Sequence, residues 1–125
     1  MDKYKTIEQK ITAFFNEKAE EKRVKPDQLK LIISYDGMLR YELWDTIGGF
    51  HGYRKLDEIL KLNFLEKAFV SNKDVETTLL KTIERFANEN QVMSKEIQLL
   101  LLPDLKYNAL KQRKKIKDIT LNQIL

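Results

Sequence analysis

The chain has 125 residues, 42% hydrophobic and 34% charged, with no cysteine, one histidine and a formal charge of +4. Such a composition supplies one hydrophobic core, is too apolar for a disordered chain and too polar for a bilayer protein. It excludes disulfides, cysteine–zinc sites, thiol catalysis and multi-histidine metal clusters. The longest purely apolar run, Leu99 to Leu102, falls far short of the roughly 20 residues that span a bilayer. The opening Met-Asp-Lys-Tyr-Lys carries no apolar stretch of signal-peptide type, so a cytoplasmic location without membrane contact is expected.

The charge is unevenly placed. Residues 1–102 carry seventeen Lys or Arg against seventeen Asp or Glu, whereas residues 103–125 carry six against two. The body is balanced and the whole excess lies in the last twenty-three residues.

From Asp2 to about Arg23, Tyr4, Ile7, Ile11, Phe14 and Phe15 recur at three- and four-residue spacings, which predicts an amphipathic helix. Pro26 disfavours a helical conformation at Lys25, so this helix should stop by Val24. Over 28–45 the period changes to two, which predicts a β-hairpin turning near Asp36-Gly37. A two-residue Asp-Gly turn would place charges on the apolar face. A three-residue loop, Tyr35-Asp36-Gly37, pairs Ile33 with Leu39, Leu31 with Tyr41 and Leu29 with Leu43, and gathers all six on one side. Trp44 then lies on the second face with Ile32, where core packing is the expected fate.

Three of the four glycines fall within Gly48-Gly49-Phe50-His51-Gly52, where regular structure should break. Helical spacing returns from Arg54 to Val70 and again, after a cap at Ser71 or Asn72, through Val75, Leu79, Ile83 and Phe86. Ser94–Leu102 reads as a short helix, with a buried strand as the alternative. Leu105 to about Lys115 reads as a final helix, and 116–125 suits helix or strand. No internal repeat is evident. The expected fold is α+β: one compact domain over 1–125 with an N-terminal helix, one antiparallel hairpin at about 28–45, then three to five helices, the basic segment 105–117 docked on the body.

No motif for catalysis emerges. The glycine-rich loop matches neither the P-loop nor the dinucleotide fingerprint, and a simple connection is the stronger reading of it. His51 has the pKa range of a general base but needs an orienting carboxylate. Asp45, Asp57 and Glu58 are near it in sequence, and nothing in the sequence brings them near in space. Asp57-Glu58 and Asp74/Glu76 suit helix starts without any metal. No enzyme activity and no cofactor are therefore expected.

Two features favour binding. Lys111, Arg113, Lys114, Lys115 and Lys117, with Lys106 just before them, form the densest cationic stretch, able to neutralise phosphates or meet an acidic protein surface. Phe50 and Tyr53 beside Arg54 suit stacking on bases. The expectation is a non-enzymatic protein that contacts RNA, DNA or a ribonucleoprotein complex through a basic C-terminal face. By analogy with small, lysine-rich mobile-element proteins, it is a small regulator or inhibitor. The alternative is a protein–protein interaction module or homodimer without nucleic-acid contact, and a metal-dependent enzyme is the distant third.

Overall fold

The computed structural model describes residues 3–46, 48–54, 58–59 and 72–120. Helix α1 (Lys3–Lys22) leads through a 3-10 turn at Pro26–Gln28 into strands β1 (Leu29–Tyr35), β2 (Leu39–Asp45) and β3 (Phe50–Tyr53). Helix α2 (Asn72–Glu89) leads through a second 3-10 turn at Ser94–Glu96 into β4 (Ile97–Leu101), β5 (Tyr107–Lys111) and β6 (Lys114–Ile119). All six strands form one antiparallel sheet in the order β3-β2-β1-β4-β5-β6. Among the described residues no helix is long and apolar enough to cross a membrane.

This corrects the expectation of three to five helices after the hairpin: among the described residues only one α-helix follows it. The helix expected over 54–70 lies outside the described residues, apart from Arg54, Glu58 and the buried Ile59. Leu99–Leu101 belongs to β4, a central strand flanked by β1 and β5, so the strand and not the short helix is the outcome. Leu99 and Leu101 lie in the core and Leu100 is half-buried on the opposite face. The glycine-rich stretch is not a break but the β2–β3 turn followed by β3 itself. Gly48 takes a φ of +85° there, and the Asp45 carboxylate accepts the Gly49 N–H at 2.8 Å.

The basic segment is not a helix either; it is the β5–β6 hairpin. Gln112 and Arg113 form its two-residue turn, with φ of 50° and 66°. A turn of this kind is normally announced by Asn-Gly or Asp-Gly, so the sequence carries no signal for it. Bonds to β4 and the preceding turn hold this unfavourable backbone. Gln112 donates its N–H to the Glu96 carbonyl at 2.8 Å and its side-chain amide to the Glu96 carboxylate at 3.1 Å. The Arg113 N–H donates to Gln98 Oε1 at 2.8 Å.

The first hairpin has a three-residue loop, but it is Asp36-Gly37-Met38, and the register pairs Ile33 with Tyr41, Leu31 with Leu43 and Tyr35 with Leu39. The pairing is displaced by two residues from the expected one. A shift of two keeps every side chain on its face, so the apolar pattern cannot detect it. It adds the Tyr35–Leu39 pair, and both side chains pack partly buried against the core.

The two halves of the chain repeat one another. Each runs helix, 3-10 turn and three strands. Residues 68 positions apart correspond through the first strand (24 and 92, 31 and 99), and residues 66 apart in the second (43 and 109). Both helices end on a left-handed residue, Arg23 (φ 56°) and Gln91 (φ 57°). Val24 N–H then bonds to the Ala19 carbonyl and Val92 N–H to the Ala87 carbonyl, each at 3.0 Å. Both 3-10 turns are closed alike: Gln28 Oε1 accepts the Lys25 N–H at 2.8 Å, and Glu96 Oε2 accepts the Met93 N–H at 2.9 Å. Ala19/Ala87, Val24/Val92, Leu31/Leu99 and Asp36/Asp104 are identical pairs, too sparse to stand out in the sequence. Glycine is the residue free to adopt the helix-ending conformation. Gln91→Gly is therefore expected to stabilise the fold by about 1 kcal/mol, read from the urea midpoint.

Ile7, Ile11, Phe14 and Phe15 of α1 and Val75, Leu79, Ile83 and Phe86 of α2 share one buried core with the sheet residues Leu31, Ile33, Leu43, Leu99 and Ala109. Tyr41 and Tyr107 lie in it with hydroxyls that make no hydrogen bond. Burial, with a smaller contribution from the Glu76 charge for Tyr41 and Glu8 for Tyr107, pushes both phenols up, Tyr107 to about 12. The folded state thus holds these protons more tightly than the unfolded chain, whose tyrosines titrate near 10. Stability should be fully present below pH 10 and fall as pH rises from there through 12. Tyr41→Phe and Tyr107→Phe each remove an unsatisfied hydroxyl, so each should raise the neutral-pH Tm and together flatten the alkaline fall, measured by thermal melts from pH 8 to 12.

Candidate functional site

The sheet has two unlike faces. Leu31, Ile33, Tyr41, Leu43, Leu99 and Ala109 point to α1 and α2, and their neighbours in sequence point the other way. On β2 that opposite face carries Arg40, Glu42 and Trp44, and the β2–β3 register sets Phe50 beside Trp44 and Gly52 beside Glu42. The β1–β2 register adds Ser34, Ile32 and Lys30 opposite the same three β2 residues.

Glu42 is the centre of this face. Its side chain is only 7% exposed, and three groups share its carboxylate. Trp44 Nε1 donates to Oε2 at 3.0 Å, Arg40 Nε lies 3.3 Å from Oε1, and Arg113 Nη2 lies 3.6 Å from Oε2. A carboxylate so buried is tolerable only when paired and hydrogen-bonded, as here. The network extends through Asp36, whose Oδ2 lies 3.8 Å from Arg40 Nη1 and whose Oδ1 accepts from Arg54 Nη1 at 3.4 Å. Three guanidiniums and two carboxylates thus alternate along one line, with one positive charge in excess.

An aromatic pair borders this line. Trp44 and Phe50 stack with ring centroids 5.0 Å apart and 24° between planes. Phe50 is 47% exposed, and the Arg113 guanidinium lies 5.9 Å from the centre of the Trp44 ring. Arg113 reaches this position because the left-handed hairpin tip, fixed on Gln98, aims its side chain toward β2.

Of the residues expected from sequence to bind a partner, the structure brings together Phe50, Arg54 and Arg113. Lys114, Lys115 and Lys117 are exposed along β6, an edge strand bulged at Ile116 opposite Ala109 and Leu110. Lys115 stands opposite Leu110 on the outer face, Lys114 and Lys117 opposite Lys111 and Ala109 on the helix side, and Lys115 Nζ pairs with Asp118 Oδ1 at 2.8 Å. Lysines and a bulge also protect a sheet edge from pairing with other chains. Lys111 is half-buried opposite Lys114, and Lys106 stands apart in the β4–β5 connection, 3.8 Å from Asp104. Tyr53 points to the helices, 5.9 Å from Phe14, with Lys18 Nζ 5.9 Å from its ring. Burial raises its phenol pKa. His51 lies on that side too, its ring 4.6 Å from Tyr53.

Arg40, Glu42 and the place of the half-buried Trp44 between Glu42 and Phe50 were missed. Their signal was the period-two spacing Arg40-x-Glu42-x-Trp44, which puts all three on one face of a strand. Neither a family model, nor a curated protein, nor a solved structure matches this chain.

Proposed function

We propose that this is a non-catalytic binding protein that contacts the phosphates of nucleic acid, free or within a nucleoprotein. Its contact surface is the sheet face turned away from the helices, with Lys115 on that face and Lys114 and Lys117 along its β6 edge. The observation that carries this reading is the convergence of Arg113 from the second half of the chain with Arg40, Arg54, Trp44 and Phe50 from the first. Cations engage phosphate oxygens, and an exposed aromatic accepts a base face, which together suit a nucleic-acid surface. A buried carboxylate holding guanidiniums in place limits the side-chain entropy lost on binding. The test is retention of RNA and DNA oligonucleotides across a salt series. Binding at low salt that falls linearly on a log–log scale is expected, whereas no binding at low salt contradicts direct contact.

A second reading is favoured by a different place. Tyr35, Gly37, Ala87, Val92, Met93 and Lys95 line an open depression of about 520 Å³. The exposed Met93 lies on it and the exposed Met38 next to it, and such adaptable apolar side chains suit a protein partner. Met93→Ser with Met38→Ser should then weaken capture of that partner while oligonucleotide retention is unchanged.

A further inference from the structure

We propose that the nucleic acid taken by this face is single-stranded, one phosphate lying between the guanidiniums of Arg40 and Arg113 and an adjoining base lying on Phe50. This rests on the reading above and sharpens it. The two guanidiniums are held on opposite oxygens of one carboxylate, so both are fixed within one phosphate's reach of Glu42. Each is partly exposed, Arg40 at 37% and Arg113 at 58% of the side chain. Each guanidinium has more N–H donors than its carboxylate contacts use, Arg40 Nη1 lying 3.8 Å from Asp36 Oδ2. Planar forks of this kind match phosphate oxygens in pairs.

The aromatic pair supplies the second half of the argument. The Phe50 ring stacks on Trp44 on one side and passes over Gly52, where an added Cβ would stand 3.7 Å from the ring. The indole behind the ring holds it along the strand. An exposed ring stacked on an indole that itself lies 5.9 Å from the Arg113 guanidinium can take only a base that is unstacked and unpaired. A duplex offers phosphates but no such base.

The internal repeat points to the same place. At the positions that the strand registers make equivalent to Arg40, Glu42 and Trp44 the second half carries Lys106, Asn108 and Leu110. The two halves retain a common core arrangement, and their outer faces differ in chemistry. Only the first half supplies an ionic and aromatic platform, which Arg113 of the second half completes.

The test uses fluorescence anisotropy with labelled strands of about ten nucleotides, within the usual span of a small binding domain. Four probes of equal length are compared: single-stranded RNA, single-stranded DNA, duplex DNA and an abasic single strand. The intact protein is expected to bind the single strands roughly tenfold or more tightly than the duplex or the abasic strand. Phe50→Ala, at a half-exposed position that folding does not require, should lose about tenfold for single strands and little for the abasic strand. Arg113→Gln leaves Glu42 short of a partner, so Arg113→Lys is measured beside it: the charge stays and the fork is lost, and affinity should still fall. Equal affinity for duplex and single strand, or single-strand binding unmoved by both Phe50→Ala and Arg113→Lys, overturns the inference and leaves the basic-surface reading standing. No binding of any probe at low salt overturns both.

Discussion

Leu31→Ala and Leu99→Ala are each expected to destabilise the protein by about 2–5 kcal/mol, and by similar amounts. The two leucines hold corresponding positions on the two central strands, 2% and 0% exposed, in one continuous core. Each truncation removes three carbon atoms from a site enclosed by both helices and the sheet, and rigid neighbours cannot close the gap. A small domain has a stability of about 5–15 kcal/mol, so either variant should lower the urea midpoint greatly. Near-equal losses are what one core shared by the two halves requires. A large loss at one and a loss under about 0.5 kcal/mol at the other, by equilibrium unfolding, would show that the halves do not share it.

Reversing the charges on the outer strand, Lys114→Glu with Lys115→Glu and Lys117→Glu, is expected to weaken nucleic-acid binding on the order of a hundredfold near physiological salt. Each side chain is exposed on the edge strand, so folding should survive. Every phosphate contact to a single strand contributes about 0.7 to the log–log salt slope, so losing three should flatten it by about 2. The measurement is a pair of salt titrations, intact and reversed. Unchanged affinity and slope would show that β6 carries its lysines only to keep the sheet edge free.

Much of this arrangement was legible in the residues, and the parts that were not share a physical cause. The apolar stripes of α1 and α2 and the apolar face of the first hairpin were readable because burial imposes a period on sequence. Leu99–Leu102 lost that period because Leu100, on the outer face of a central strand, is apolar and half-buried as well. The β5–β6 turn gave no warning because Gln112 and Arg113 adopt left-handed backbone that neighbouring hydrogen bonds, not their own chemistry, support. Leu105, at φ 63°, hides the preceding turn in the same way, where the first hairpin uses Gly37. The repeat was obscured because only a few buried and helix-ending positions kept their residues.

For the candidate site, the residue types were legible and their meeting was not. Phe50, Arg54 and Arg113 stand out as aromatic or basic residues near other cations. Nothing in the chain says that residue 113 returns to residue 42, because that contact follows from the strand order and the left-handed hairpin tip. Tyr53 misled for a simple reason. It neighbours Phe50 and Arg54 in sequence, but a strand turns successive side chains to opposite faces, and its own points into the core.

Trp44 is the sole tryptophan of the chain, stacked on Phe50 and hydrogen-bonded to Glu42. Its fluorescence therefore reports from the centre of the proposed contact surface. Titrating the intact protein with a short single-stranded oligonucleotide at low salt should change the intensity saturably, and added salt should reverse the change. Oligonucleotide binding confirmed by anisotropy, with no change in Trp44 emission, would place the contact elsewhere and contradict the account.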